Sequence, residues 1–180
     1  MAAEAPPAND DANKAADAEQ ADEKKEENES AAADASTVGV NFTGAWELTT
    51  NENLDEFMKS QGIGYMKRKL MSMASITLNI DHKGESLKVN AKLPIGEINE
   101  ELTFDGKEKT TKNPMGEEVR MKAEWSDGSK TKLIIKTHNI KNDKKVTMER
   151  TMPDANTLQD VMTNDQNITM TRTFKRKAIK

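Results

Sequence analysis

Hydrophobic and polar residues alternate one for one through the stretch that ends the chain. Over residues 167–176, Ile168, Met170, Arg172 and Phe174 fall on one side of an extended backbone, and Thr169, Thr171, Thr173 and Lys175 on the other. Val146, Met148, Arg150 and Met152 repeat the pattern upstream, opposite Lys145, Thr147, Glu149 and Thr151. The same period of two runs through Ile76, Leu78 and Ile80, then Leu87, Val89, Ala91 and Leu93. It continues in Ile98, Leu102 and Phe104, where Glu100 intrudes, in Val119, Met121, Ala123 and Trp125, and in Leu133 and Ile135. Phe42, Gly44, Trp46 and Leu48 make a first strand ahead of these. Between that strand and Ile76 the spacing becomes helical. Leu54, Phe57 and Met58 mark one short helix over residues 53–60, and Met66, Leu70 and Met73 an apolar side of a second over residues 65–73. Gly62-Ile63-Gly64 separates the two, and Lys67, Arg68 and Lys69 give the second a basic side.

Turn signals punctuate the strands at Lys83-Gly84, Asp105-Gly106, Pro114-Met115-Gly116, Asp127-Gly128, Asn142-Asp143 and Pro153-Asp154. With weaker strands near residues 107–111 and 157–163, ten can be placed. Each has a single greasy side, which favours an up-and-down meander over a sandwich with its long return connections. A sheet of ten strands curls, and closing it removes its exposed edges. The expected fold is therefore all-β: a ten-stranded up-and-down antiparallel barrel, with a helix-turn-helix lid between strands 1 and 2. A barrel this wide is not filled by side chains alone, so it should hold a cavity.

The first 38 residues follow different rules. They contain mostly Ala, Glu, Asp, Asn and Lys, with no aromatic residue and no Leu or Ile, and with Val38 the first valine. Such a stretch cannot bury enough apolar surface to offset the entropy of ordering it, so residues 1–38 are expected to be a disordered acidic tail and residues 39–180 the barrel. Through residue 40 the charge is −8, and the overall −4 leaves the remainder at +4. The absence of cysteine removes disulfides and thiolate metal sites, and two histidines, His82 and His138, make no convincing zinc site. No metal and no cofactor are expected. With no long apolar run and no apolar leader, a cytoplasmic location is expected.

Two inner faces each carry an arginine, Arg150 and Arg172. A guanidinium on the side reserved for hydrophobes is costly unless it meets a carboxylate or phosphate. Either an acidic side chain of the protein neutralises these charges, with Glu100 on an apolar face as the candidate, or a ligand does.

The residues from Val40 to Lys177 resemble the intracellular fatty-acid-binding protein family, which includes the cellular retinoid-binding proteins. The resemblance is carried by Phe42-x-Gly44-x-Trp46-x-Leu48, by Glu52-Asn53-Leu54-Asp55-x-Phe57-Met58-Lys59, and by Gly62-x-Gly64-Tyr65-x-x-Arg68-Lys69. It implies a ten-stranded barrel that carries one hydrophobic acid inside. In carboxylate-binding members an arginine on the eighth strand and an Arg-x-Tyr on the last hold the head group; Arg150 and Arg172 stand at those places, and Phe174 replaces the tyrosine. Leu54 replaces an aromatic residue of the first helix. Leu54, Phe57, Met58, Met148, Met170 and Phe174 are then expected to line the cavity. Lys59, Lys67, Arg68 and Lys69 are expected to bring the lid into transient contact with anionic membranes.

The function these readings favour is intracellular binding and transport of a long-chain fatty acid, or a similar hydrophobic carboxylate, by a monomeric carrier. A protective or membrane-associated structural protein, in which the cavity is secondary, is the alternative. No nucleophile–base pair, glycine-rich phosphate loop or metal cluster is evident, so no enzyme is expected, and sparse aromatics with modest basic charge argue against nucleic acid.

Overall fold

In a computed structural model, residues 39–178 are described; the tail expected over residues 1–38 lies outside them. Among the described residues the chain order is β1 (Gly44–Glu52), α1 (Leu54–Ser60), α2 (Tyr65–Ser72), β2 (Thr77–Lys83), β3 (Ser86–Leu93), β4 (Gly96–Thr103) and β5 (Lys109–Lys112). There follow β6 (Glu118–Trp125), β7 (Lys132–Asn139), β8 (Lys144–Asp154), β9 (Thr157–Asn164) and β10 (Thr169–Arg176). The strands form one antiparallel sheet in the order β4-β3-β2-β1-β10-β9-β8-β7-β6-β5. Strands successive in the chain are neighbours except β4 and β5, and β1 pairs with β10, the step that curls the meander into an up-and-down barrel. The weak segments expected near residues 107–111 and 157–163 are β5 and β9.

The curl does not remove every edge. β4 and β5 end the sheet order and are not hydrogen-bonded to each other. The reason lies in β5, which is four residues long and reads Lys-Thr-Thr-Lys, too short and too polar to bury a face of its own. Just after β4, Phe104 turns inward and is 8% exposed. At the other end of β4, Gly96 comes so close to the backbone of Pro114 that a Cβ would sit 1.7 Å from the Pro114 carbonyl oxygen.

Alternation places the core. Leu78 and Ile80, Leu87, Val89 and Ala91, Val119, Met121 and Ala123, and Leu133 and Ile135 all point inward and are buried. One end of the barrel is closed by rings: Phe42 stacks on His82 and Trp125, and Phe104 meets His82 and Trp125 edge to face. His82 Nδ1 accepts the Phe42 amide at 3.2 Å, and its Nε2 lies 3.1 Å from the Gly84 carbonyl, so the neutral ring with Nε2–H satisfies both partners. Trp46 donates its indole N–H to the Phe42 carbonyl at 2.9 Å, which ties the segment just before β1 to the strand.

The helices cover the opposite end of the inner space. In α1, Leu54, Phe57 and Met58 are buried, as their spacing suggests. α2 is turned differently from the reading of its apolar residues. Met71 is its buried side chain, whereas Met66, Leu70 and Met73 are 71%, 52% and 76% exposed. The orientation is fixed by Arg68, whose Nε donates to Asp55 Oδ1 at 2.7 Å and whose Nη1 donates to the Ile63 carbonyl at 2.9 Å. That clamp holds the Arg68 side chain at 13% exposure against α1 and rolls Met66 and Leu70 outward.

Candidate head-group site

Three neighbouring strands bring three charged side chains into one row. Arg150 on β8 is directly opposite Asp160 on β9, and Asp160 is directly opposite Arg172 on β10. Residues paired across antiparallel strands share a face, so all three point to the inside. Arg150 donates to Asp160 through Nε to Oδ1 and through Nη2 to Oδ2, each at 2.7 Å. This is the planar two-bond fork that a guanidinium forms with a carboxylate. Arg150 and Asp160 expose 4% and 3% of their side chains.

Asp160 answers the question that the inward arginines raise, and only in part. It takes two of Arg150's donor groups. Arg150 Nη1 and Arg172 Nε are buried and have no acceptor among the described residues. Burial disfavours the charge on Arg150, but the Asp160 carboxylate and its hydrogen bonds outweigh that cost, with Glu100 adding to them, so its pKa is raised. For Arg172, burial dominates over the attraction of Asp160, the Arg150 charge repels it, and its pKa falls. The row is asymmetric: one arginine is held by a carboxylate and its neighbour is not.

Glu100 is not the partner of either arginine. It lies on β4 and makes no ion pair with them within 4 Å. Burial pushes its carboxyl above the ordinary range; the Arg150 and Lys109 charges work against this, and Asp160 reinforces it.

These four groups border a cavity of about 280 Å³ whose other walls are mostly aliphatic side chains and methionines. Phe57, Met58 and Met148 border it; Leu54, Met170 and Phe174 are buried in the core without bordering it. Phe174, paired with Leu48 on one side and Leu158 on the other, is fully buried and brings no hydroxyl to the row. A second space of about 620 Å³ lies between the Gly62–Tyr65 turn and the β5–β6 and β7–β8 turns. The two share Met58, Asn113, Val119, Thr137 and Val146, so the outer space leads from the helices to the inner one. Lys59, Lys67 and Lys69 are exposed on the helices, whereas Arg68 is spent on the clamp to Asp55. Among the described residues no cluster of three His, Cys, Asp or Glu side chains is arranged to hold a metal ion.

Asp160 is the site residue that the sequence reading passes over. Its signal is the run Leu158-Gln159-Asp160-Val161-Met162, in which Leu158, Asp160 and Met162 alternate inward. Val161 on the other face blurs that alternation.

An arrangement of this kind, two guanidinium groups and one carboxylate in an aliphatic cavity, is suited to the polar end of a largely apolar molecule. No family model matches the chain. Fatty acid-binding protein 5 of Pygoscelis papua is 33% identical over 106 residues, covering 53% of this chain and 78% of that protein. A fatty-acid-binding protein from brain tissue of Drosophila melanogaster, solved without citrate inside, is 26% identical with a TM-score of 0.62, covering 75% of this chain and 99% of the other. The same fold occurs in a Schistosoma mansoni fatty acid binding protein in complex with arachidonic acid, with a TM-score of 0.66 and 20% identity, covering 76% of this chain and 96% of that one. It also occurs in the REP1-NXSQ fatty acid transporter, with a TM-score of 0.66 and 22% identity, covering 77% and 97%.

Proposed function

The chain belongs to the fatty-acid-binding protein family, and on that premise we propose that its inner cavity binds a long-chain fatty acid or a similar hydrophobic carboxylate and carries it unchanged. The observation that carries this reading is the pair of buried donors, Arg150 Nη1 and Arg172 Nε, with no acceptor among the described residues. Buried polar groups are almost always hydrogen-bonded, and a carboxylate is the acceptor that a guanidinium fits best. The hydrocarbon chain gains about 0.8 kcal/mol for each methylene withdrawn from water into the aliphatic part of the cavity. The outer space beneath the helices is its way in.

Loading and release are proposed to involve the exposed side of α2. Tyr65, Met66, Leu70 and Met73 form an apolar patch there beside Lys67 and Lys69, with Lys59 on α1. Apolar side chains flanked by lysines suit brief contact with an anionic lipid surface. No helix among the described residues is long and apolar enough to cross a membrane. We place the protein in the cytoplasm as a monomeric carrier, with no catalytic step of its own.

A reading in which internal acids alone neutralise both arginines is satisfied for Arg150 and not for Arg172. The two readings part in a titration of delipidated protein with a long-chain fatty acid and with the alcohol of equal chain length. Acid binding at least tenfold tighter than alcohol binding is expected. Equal affinity, or no saturable binding of either, would overturn the proposal.

A further inference from the structure

Asp160 is a puzzling residue to keep in an anion site. It is buried, it sits between both arginines in the strand register, and it removes half of the positive charge that they would otherwise present. A site that needed only to attract acids would do better without it.

We propose that Asp160 is a specificity residue, a resident counter-anion that restricts the head-group site to singly charged acids and rejects doubly charged ones such as alkyl phosphates. This rests on the reading of the cavity as a carboxylate site. Charge decides the sign. Arg150, Asp160 and Arg172 together carry +1, so one carboxylate brings the row to neutrality inside an aliphatic cavity. A phosphate monoester, which carries about −1.5 to −2 at neutral pH, would leave an uncompensated negative charge there. Unpaired charge is what a buried site tolerates least. Glu100, the remaining titratable group on the cavity wall, is held towards its neutral form by burial and leaves that count at +1.

The fork to Asp160 also ties up Arg150 Nε and Nη2. With Asn at position 160 the row would carry +2 and the Arg150 fork would be released, which favours a dianion.

The full chain and its Asp160→Asn variant, both delipidated, would be titrated at pH 8 with a long-chain fatty acid and with an alkyl phosphate of the same chain length. The native protein should prefer the acid by at least tenfold, and Asp160→Asn should shift the acid-to-phosphate ratio towards phosphate by at least tenfold. A ratio that moves less than threefold overturns the inference while leaving the carboxylate reading intact. A native protein that binds neither ligand overturns that reading, and the inference with it. Should Asp160→Asn fail to fold, Arg150→Gln and the double variant Arg150→Gln/Asp160→Asn decide the point. The single variant leaves a net charge of zero in the row and should lose at least tenfold more acid affinity than the double variant, which keeps +1 on Arg172. Equal losses would overturn the inference.

Discussion

Arg150 and Asp160 close on each other from adjacent strands through two 2.7 Å hydrogen bonds, while Arg172, on the other side of Asp160, leaves its buried Nε without an acceptor. The two arginines are equivalent in the sequence pattern and different in the folded protein. One is part of a closed ion pair, and the other is held ready for something else.

That difference should appear when each is removed. Arg150→Leu strands the Asp160 carboxylate in the interior and should destabilise the ligand-free protein by about 3–5 kcal/mol. Arg172→Leu removes a desolvated charge that has no bonded partner, so the ligand-free protein should be as stable as before or more so. The same change should weaken fatty-acid binding by about 2 kcal/mol, or roughly 30-fold, because a charge-assisted bond is lost. Denaturant melts of the delipidated variants beside fatty-acid titrations would check both. Equal destabilisation by the two substitutions would mean that Arg172 is structurally paired after all.

Two partly buried titratable groups, Glu100 and His82, should tilt stability with pH in opposite directions. Glu100 has its pKa raised by burial, so the folded state holds the proton more tightly than the unfolded one. Its effect is absent at low pH, and stability is lost as pH rises from the ordinary glutamate value of 4.5 through the raised value. Glu100→Gln should remove that loss and leave the protein more stable at neutral pH. His82 has its pKa lowered by burial, so the unfolded state is the better proton acceptor, and stability falls as pH drops below 6.5. Protonation would also place a donor at Nδ1 opposite the Phe42 amide, which is itself a donor. Chemical denaturation across this pH range, with NMR titration of the His82 ring, would show both slopes; a ring that titrates at the ordinary value would contradict the second.

Most of the fold is legible in the sequence because its elements depend on local pattern. Period-two runs such as Leu87-x-Val89-x-Ala91 become strands with one buried face, and Leu54, Phe57 and Met58 become the buried side of α1. The identity of Arg150's partner is not local. Whether Asp160 or Glu100 meets it depends on the β8–β9 register, which shifts irregularly between Thr151 and Asp154 just before the turn into β9. The rotation of α2 is not local either. Apolar residues lie on more than one of its sides, so spacing alone does not choose between Met71 and the group of Met66, Leu70 and Met73. The Arg68–Asp55 clamp makes that choice across thirteen residues of chain.

Gly96 should be the least replaceable glycine of the barrel. Its φ of +142° lies where side chains are disfavoured, and an added Cβ would meet the Pro114 carbonyl oxygen at 1.7 Å. Neither obstacle is a flexible side chain that could swing away. Gly96→Ala should therefore cost more than about 3 kcal/mol and loosen the contact that closes one end of the gap between β4 and β5. Gly62, also at positive φ with nothing within 4 Å of an added Cβ, gives the control. Gly62→Ala should cost only about 1 kcal/mol, the price of its backbone conformation. Similar losses at both positions, read from thermal melts, would mean that the backbone at Gly96 can yield.

The exposed side of α2 should matter for transfer and not for stability. Met66 and Leu70 are 71% and 52% exposed, so replacing both with Ser removes little buried area and should leave the melting temperature unchanged within a degree or two. If this patch meets lipid, the double substitution should weaken binding to vesicles and slow delivery of a fluorescent fatty acid to them. Lys67 and Lys69 separate the electrostatic part. Each lysine near an anionic surface contributes about fivefold in affinity, so changing both to Ala should cost about 25-fold on phosphatidylserine-containing vesicles and little on neutral ones. Raising salt should erase the native protein's preference for anionic vesicles, since these charges are exposed and screened. Transfer rates that ignore both substitutions would mean that the fatty acid leaves by diffusion through water, and that the α2 patch has no part in its release.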